Sequence, residues 1–170
     1  MAEAILSLGT NMGERLKNIE NAIESISRIP ETRIIKISNF YETEPFGVPD
    51  KQDKYINCCI RLSTDLAPEI LLGACLGVEA ALGRVRSYKF GPRIIDIDLL
   101  IYDHEYRNEK NLVLPHPRIK ERAFVMIPLN DVCENMQFGN VDFKESFENC
   151  DASEIKLLKK LNNFIKKLDI

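Results

Sequence analysis

Two aspartates separated by one residue, Asp96 and Asp98, are the pair of side chains in this sequence best suited to chemistry. They lie in the apolar run from 94 to 102, which predicts a β-strand. Because alternate residues of a strand project to the same face, both carboxylates should point to one side and apolar neighbours such as Ile97 to the other. Adjacent carboxylates repel each other, and Mg²⁺ is commonly held by one or two carboxylates together with substrate phosphates. The pattern therefore indicates a site for a magnesium nucleotide.

Cationic side chains precede these aspartates at Arg84, Arg86, Lys89 and Arg93. The planar guanidinium group matches the geometry of phosphate oxygens, so arginines beside metal-binding carboxylates favour phosphoryl transfer. An exposed loop whose charges simply pair with the acids is an alternative interpretation, and the local pattern leaves both open. The sequence contains no Walker A, HExxH, GxSxG or protein-kinase motif, which excludes the folds that depend on them.

Length and composition exclude several other classes of protein. The chain has 170 residues, near the size of one domain, and 45% of them are apolar, as in globular proteins rather than disordered ones. Its 23 basic and 26 acidic side chains give a net charge of −3, which provides no general attraction to nucleic acids or anionic membranes. We therefore expect a single domain over residues 1–170 and no nucleic-acid or membrane partner.

Targeting signals and cysteine spacing indicate a cytoplasmic protein. No stretch approaches the ~20 apolar residues that cross a bilayer, and the first residues lack the basic region of a secretory signal. The 5 cysteines are an odd number without CxxC spacing, which predicts reduced thiols.

Apolar periodicity and turn signals predict the elements that must position the charged residues. In chain order they are a strand at 4–8, a helix at 13–29, strands at 33–40 and 56–64, a helix from about 68 to 82 and a strand at 94–102. This β-α-β-β-α-β order is typical of a ferredoxin-like α+β core, in which both helices pack on one face of an antiparallel sheet.

A C-terminal helical extension is predicted after this core. The segment 119–129 indicates a short helix, and the segment 153–168 carries an apolar stripe surrounded by lysines. A helix that packs on the core by its apolar stripe is the favoured interpretation of the second segment. A basic helix that binds a membrane surface or a calmodulin-like partner is the alternative.

The segment 90–100, FGPRIIDIDLL, resembles the signature of the 6-hydroxymethyl-7,8-dihydropterin pyrophosphokinase family of folate biosynthesis. Further blocks resemble the family in the same order, so that the resemblance covers roughly residues 3 to 130. These blocks are SLGTN at 7–11, FYETEPFG at 40–47, YIN at 55–57, LPHPR at 114–118 and ERAFV at 121–125. Six ordered blocks are far more specific than any one of them, and they imply a single pyrophosphokinase domain.

The resemblance implies an enzyme that transfers pyrophosphate from ATP to the pterin hydroxymethyl group and releases AMP. It implies that Asp96 and Asp98 hold two Mg²⁺ ions and that Arg84 and Arg93 stabilise the transferring charge. The residues implied in ATP binding are Glu79, Arg84, Arg86, Arg93, Ile97, Leu99, His116 and Arg122. Those implied in pterin binding are Thr43, Glu44, Phe46, Tyr55, Asn57 and Phe124. Tyr55 and Phe124 are expected to stack on the flat ring. Family members are often fused to other folate-pathway enzymes.

The sequence departs from the family at Asn111 and Val113, where well-known members have arginine and threonine, and an altered affinity for ATP is expected. Phe90 stands where many members have tryptophan. The segments 42–54 and 84–92 contain Gly and Pro and are expected to close over substrates as lids. An RNA-binding module and a binding protein without catalysis are the alternatives from other functional classes.

Overall fold

The computed structural model describes residues 1–48, 50–85 and 91–161. Its elements are β1 (Ala2–Thr10), α1 (Arg15–Ser27), β2 (Thr32–Ile37), β3 (Phe40–Thr43), β4 (Tyr55–Thr64), α2 (Pro68–Ala81), β5 (Asp96–Tyr102), β6 (Arg107–Asn108), β7 (Val113–Leu114), α3 (Ala123–Val132), a 3₁₀ turn (Glu134–Met136), β8 (Gln137–Phe138), β9 (Val141–Asp142), α4 (Lys144–Glu148) and β10 (Ile155–Lys159). Within these residues no helix is both long and apolar enough to span a membrane.

An antiparallel sheet forms the centre of the fold, with the strand order β10-β3-β4-β1-β5. β2 pairs with the other end of β4, so β4 has two successive partners along the same edge. β1 lies between β4 and β5, and its residue Leu8 pairs with Cys58 on one side and Ile97 on the other. The predicted antiparallel sheet with packed helices is confirmed.

Helices cover both faces of the sheet. Leu6 and Leu8 of β1 belong to the apolar core that also contains residues of α1 and α2, whereas Ile5 belongs to the core formed with α3. β1 and β4 are apolar on both sides because each side packs against a helix layer. The two helices of the predicted core therefore share one face, and α3 covers the other.

The predicted strand at 33–40 is two strands, because Ser38 interrupts the ladder. Its backbone N–H donates to Cys59 O at 2.9 Å, and its hydroxyl accepts the Cys59 N–H at 2.8 Å. The chain bends there, and β3 continues along the part of β4 that begins at Tyr55. This bend directs β3 toward the end of the sheet at which Asp96 and Asp98 lie, where β4 and β5 begin.

The predictions for the C-terminal part are corrected. The helix expected over 119–129 begins later, at Ala123, and continues to Val132. The prediction of a helix over 153–168 is wrong for Ile155–Lys159, because these residues form strand β10, which pairs with β3. An open strand edge offers unpaired backbone groups, and pairing with it overrides the local helical pattern. Residues 162–168 of that predicted helix lie outside the described residues.

The cysteines are free thiols, as predicted. Cys58, Cys59, Cys75 and Cys133 are buried, and Cys150 is half-buried. Burial raises the pKa of Cys133 to about 11 and that of Cys75 to about 12, so both thiols are protonated and unreactive at neutral pH.

Candidate active site

A cavity of about 810 Å³ opens at one end of the sheet, where β1 and β3 end and β4 and β5 begin. This volume is in the range typical of small-molecule sites. Twelve of the predicted site residues line it together: Thr43, Glu44, Phe46, Tyr55, Asn57, Arg84, Arg93, Asp96, Asp98, His116, Arg122 and Phe124. Arg86, which was also predicted, lies outside the described residues.

Asp96 and Asp98 both face the cavity from the start of β5, as the alternation predicted. Ile97 and Leu99, which were implied in ATP binding, are 2% and 4% exposed and lie in the core shared with α1 and α2. Asp98 Oδ2 is 3.6 Å from Arg122 Nη1. Burial and the neighbouring Asp96 charge raise the pKa of Asp98 to about 6, because they disfavour its ionised form.

Two arginines bind the carboxylate of Asp96, one on each oxygen. Arg84 Nη1 contacts Oδ1, and Arg93 Nη1 contacts Oδ2. Arg84 Nη1 also contacts Oε1 of Glu79, which lies behind it on α2 and is not among the residues that line the cavity. Burial raises the pKa of Glu79. These contacts bring two of the predicted arginines to Asp96, and a role for them in phosphate binding stays a prediction.

His116 contributes a neutral imidazole to the same end of the cavity. Its backbone N–H donates to Leu100 O at 2.7 Å, which ties the 115–117 segment to β5. The Arg118 backbone N–H donates to His116 Nδ1 at 3.2 Å, so the ring proton is placed on Nε2. Burial, followed by the charges of Arg122 and Arg118, lowers the pKa of His116. Arg118 also lines the cavity; sequence reasoning gave it no role, although it follows His116 in the matched LPHPR block.

Aromatic and amide side chains form the opposite end of the cavity. The rings of Phe46 and Phe124 lie 6.1 Å apart between centroids and are tilted by 55°. Asn57 Nδ2 donates to Thr43 Oγ1 at 2.8 Å, across the β3–β4 pair. Tyr55 contributes a third ring. Flat faces with a few polar groups at the edge are suited to a planar heterocycle that carries hydrogen-bonding groups.

Gly9 is a site residue that sequence reasoning did not assign. It ends the apolar part of β1, pairs with Asn57 of β4 and lines the cavity. A Cβ atom at this position would lie 2.8 Å from Asn57 Oδ1, which is closer than atoms pack. The SLGTN block contained the signal, because a glycine inside a strand often marks a close approach of another group.

Asn11 connects Gln52, in the first segment expected to act as a lid, with Arg93, which directly follows the second. Its side-chain amide donates to Gln52 Oε1 at 3.1 Å and accepts the Arg93 backbone N–H at 2.8 Å. Tyr55 OH also donates to Gln52 Oε1, at 3.0 Å. One buried amide therefore links the first segment to the residue after the second, and the movement of both segments stays a prediction.

The carboxylates of Asp96 and Asp98 are suited to a divalent cation that takes its other ligands from substrate and water. Within residues 1–48, 50–85 and 91–161, no group of three or more His, Cys, Asp and Glu side chains could hold a metal ion. Asp96 and Asp98 provide two carboxylates whose mutual repulsion a divalent cation would relieve. Mg²⁺ often takes only one or two carboxylates and completes its shell with water and phosphate oxygens. The two aspartates fit this mode of binding.

Comparisons with known proteins agree with the geometry. The family model for 7,8-dihydro-6-hydroxymethylpterin-pyrophosphokinase matches residues 5–134. The 2-amino-4-hydroxy-6-hydroxymethyldihydropteridine pyrophosphokinase of Methylorubrum extorquens is 39% identical over 156 residues, which are 92% of this chain and 98% of that protein. The protein of the same name from Bacillus subtilis is 34% identical over 79% of this chain and 80% of its own length.

A solved structure shows the same fold at low identity. The crystal structure of wild-type Plasmodium falciparum HPPK-DHPS matches with a TM-score of 0.63 and 16% identity, over 88% of this chain. This chain spans only 43% of that one. The match of the family model to most of the chain, together with the identity to the two bacterial proteins, decides the family. The chain belongs to the 7,8-dihydro-6-hydroxymethylpterin-pyrophosphokinase family.

Proposed function

We propose that this chain transfers the pyrophosphoryl group of ATP to the hydroxymethyl oxygen of 6-hydroxymethyl-7,8-dihydropterin, giving the pterin diphosphate and AMP in folate biosynthesis. One observation carries the proposal: a single cavity joins an end with two carboxylates and several arginines to an end with aromatic rings and an amide. A triphosphate with its metal suits the first end, and a flat polar ring suits the second. Family membership supports the same reaction.

At the phosphate end, Asp96 and Asp98 hold two Mg²⁺ ions, which neutralise phosphate charge when bound. Arg84 and Arg93 contact the phosphates and stabilise the charge that develops during transfer. Both arginines contact Asp96, so the groups that would bind phosphate lie directly beside a carboxylate that would hold the metal. Arg122 adds a third guanidinium group, beside Asp98.

His116 binds a phosphate oxygen as a hydrogen-bond donor rather than as a cation. Its pKa is lowered by burial and by the neighbouring arginines, so the ring is neutral at pH 7. Nδ1 accepts the Arg118 N–H, which leaves the Nε2 proton for the substrate. The arginines already supply positive charge at this site, and the hydrogen bond from the neutral His116 ring helps to orient the phosphate.

At the other end, Tyr55 and Phe124 stack on the pterin faces, and Asn57 and Thr43 bind its edge. The Asn57–Thr43 hydrogen bond fixes the amide before substrate arrives, which reduces the entropy lost on binding. Glu44 and Phe46 line the outer side of the pocket. Most of the rate enhancement then comes from holding the hydroxymethyl oxygen close to and in line with the β-phosphorus.

We also infer the organisation and setting of the enzyme. The order up to β5 is β-α-β-β-β-α-β, and β2 and β3 pair in succession with β4, as the two halves of one strand would. Together with the central position of β1, this favours a ferredoxin-like core within one domain over 1–170. Its substrates are small molecules, and we place the protein in the cytoplasm. The match to part of a longer HPPK-DHPS chain supports possible fusion with other folate-pathway enzymes.

The test is a product assay with purified protein, MgCl₂, ATP and 6-hydroxymethyl-7,8-dihydropterin, in which AMP and ADP are separated by chromatography. AMP that forms only when pterin is present is the expected result. Pterin-dependent ADP would mean transfer of a single phosphoryl group. ATP binding without turnover would mean a binding protein, and either result would contradict the proposal.

Gly9→Ala is expected to weaken pterin binding about tenfold, because the new methyl group displaces the Asn57 amide and one hydrogen bond to the ring edge is lost. The affinity for Mg-ATP should stay within about twofold. Calorimetric titration with each ligand measures both values. Gly73→Ala is the matched control, since a Cβ there meets nothing within 4 Å. Equal pterin affinity in the two variants would contradict the prediction, because it would show that pterin binding by Asn57 does not require the absence of a side chain at Gly9.

A further inference from the structure

The carboxylate of Glu79 is nearly inaccessible to solvent, with 3% of the residue exposed. It lies near the end of α2, behind the wall of the cavity. A buried carboxylate is costly unless strong donors surround it, so its presence beneath a charged site calls for a specific use.

A single oxygen of Glu79 contacts two parts of the site. Oε1 accepts the Ile97 backbone N–H at 2.7 Å and also binds Arg84 Nη1. The backbone oxygen of Glu79 accepts the Arg84 N–H at 3.0 Å. Residue 79 therefore holds Arg84 by both its backbone and its side chain.

The bond to Ile97 fixes the strand between the two metal-binding aspartates. β5 is the last strand of the sheet and pairs with β1, so the N–H groups on its outer side need partners other than a strand. Glu79 provides one of them midway between Asp96 and Asp98. Any shift of this carboxylate would move both the strand and the arginine.

We infer that Glu79 is a positioning residue, whose buried carboxylate sets the place of the Arg84 guanidinium group relative to the strand that carries Asp96 and Asp98. This inference rests on the proposed function. The contacts of Glu79 with the side chain and the backbone N–H of Arg84 fix the guanidinium group independently of its contact with Asp96. The guanidinium group of Arg84 is therefore already oriented toward the transferring phosphate and loses little conformational entropy when the phosphate binds.

Glu79→Gln is the decisive variant, because the amide oxygen can still accept the Ile97 N–H but carries no negative charge, so its hold on the Arg84 guanidinium group is weakened to a neutral hydrogen bond. We expect kcat to fall about tenfold to a hundredfold, the range typical of residues that orient a metal or catalytic group. Affinity for Mg-ATP should stay within about twofold, because the site loses a negative charge and still attracts the triphosphate. Pterin affinity and the melting temperature should not fall. Glu69→Gln, an exposed carboxylate on the same helix, is the matched control.

A double-mutant cycle tests whether Glu79 acts through Arg84. In an Arg84→Ala background, Glu79→Gln should change kcat by less than about threefold. A full additional loss in that background, or an unchanged kcat in the single variant, would overturn the inference. So would a joint fall of the melting temperature and of both ligand affinities, because that result describes a merely structural residue.

A spectroscopic measurement separates this inference from the proposed function. The Arg84 side-chain N–H signals of the ligand-free protein should be protected from solvent exchange in the wild type and should exchange faster in Glu79→Gln. Equal exchange in the two proteins would contradict the positioning role, whatever the activity. Absence of AMP formation by the wild type would contradict the proposed function alone.

Discussion

Replacing Asp98 with asparagine is expected to reduce AMP formation about a thousandfold while raising the melting temperature of the ligand-free protein by about 1 to 3 °C. The loss of activity, about 4 kcal/mol in activation free energy, follows because an amide is a poor ligand for Mg²⁺ and one of two carboxylates is gone. The gain in stability has a different cause. Burial and the Asp96 charge raise the pKa of Asp98 to about 6, so at about pH 7.5 the ionised group opposes folding.

The direction of this stability change follows from the sign of the shift. A carboxyl group whose pKa is higher in the folded protein lowers stability as the pH rises from its ordinary pKa to the raised one, here about 6, and the loss is complete above that pH; the neutral asparagine removes the effect. Thermal unfolding near pH 7.5 and the chromatographic assay measure the two expectations. Asp65→Asn is the control, because Asp65 is an exposed carboxylate that follows β4 at the end away from the cavity. A variant that loses activity and also melts at a lower temperature would show that Asp98 supports the fold.

Local periodicity was sufficient to predict the centre of the site. Alternation along 94–102 placed both aspartates on one face, and they do line one cavity. Apart from the division of the 33–40 strand at Ser38, the order of strands and helices up to β5 also followed from local patterns, because each element buries an apolar face with its own period. The residue roles came from the family resemblance, and the structure brings twelve of those residues together.

Long-range contacts explain what the sequence could not predict. Whether Ile155–Lys159 becomes strand or helix depends on the open edge of β3, which no local pattern reveals. The bend at Ser38 depends on Cys59, which lies on another strand. Glu79 stands in a helix that is apolar on most of its surface, so helical periodicity gave no sign that its carboxylate would be buried against Arg84.

Arg93→Ala is expected to lower kcat between about a hundredfold and about a thousandfold, because a preorganised charge on the transferring group is lost. The fold around residue 93 should persist, since Asn11 binds the backbone of that residue and not its side chain. Asn11 Oδ1 accepts the Arg93 N–H at 2.8 Å, and the Asn11 N–H donates to Arg93 O at 3.1 Å. Pterin affinity should stay within about twofold, because the aromatic end of the cavity is untouched.

Single-turnover kinetics with Mg-ATP and pterin separate chemistry from binding in this variant. Arg33→Ala, an exposed arginine on β2, is the matched control and should retain full activity. Arg93→Lys distinguishes charge from geometry: an ammonium group supplies the charge but not the planar fork, so partial recovery is expected. If Arg93→Ala reacted as fast as the Arg33→Ala control, the charge at the β-phosphorus would have to come from Arg84 and Arg122, and Arg93 would serve only to hold Asp96 before ATP binds.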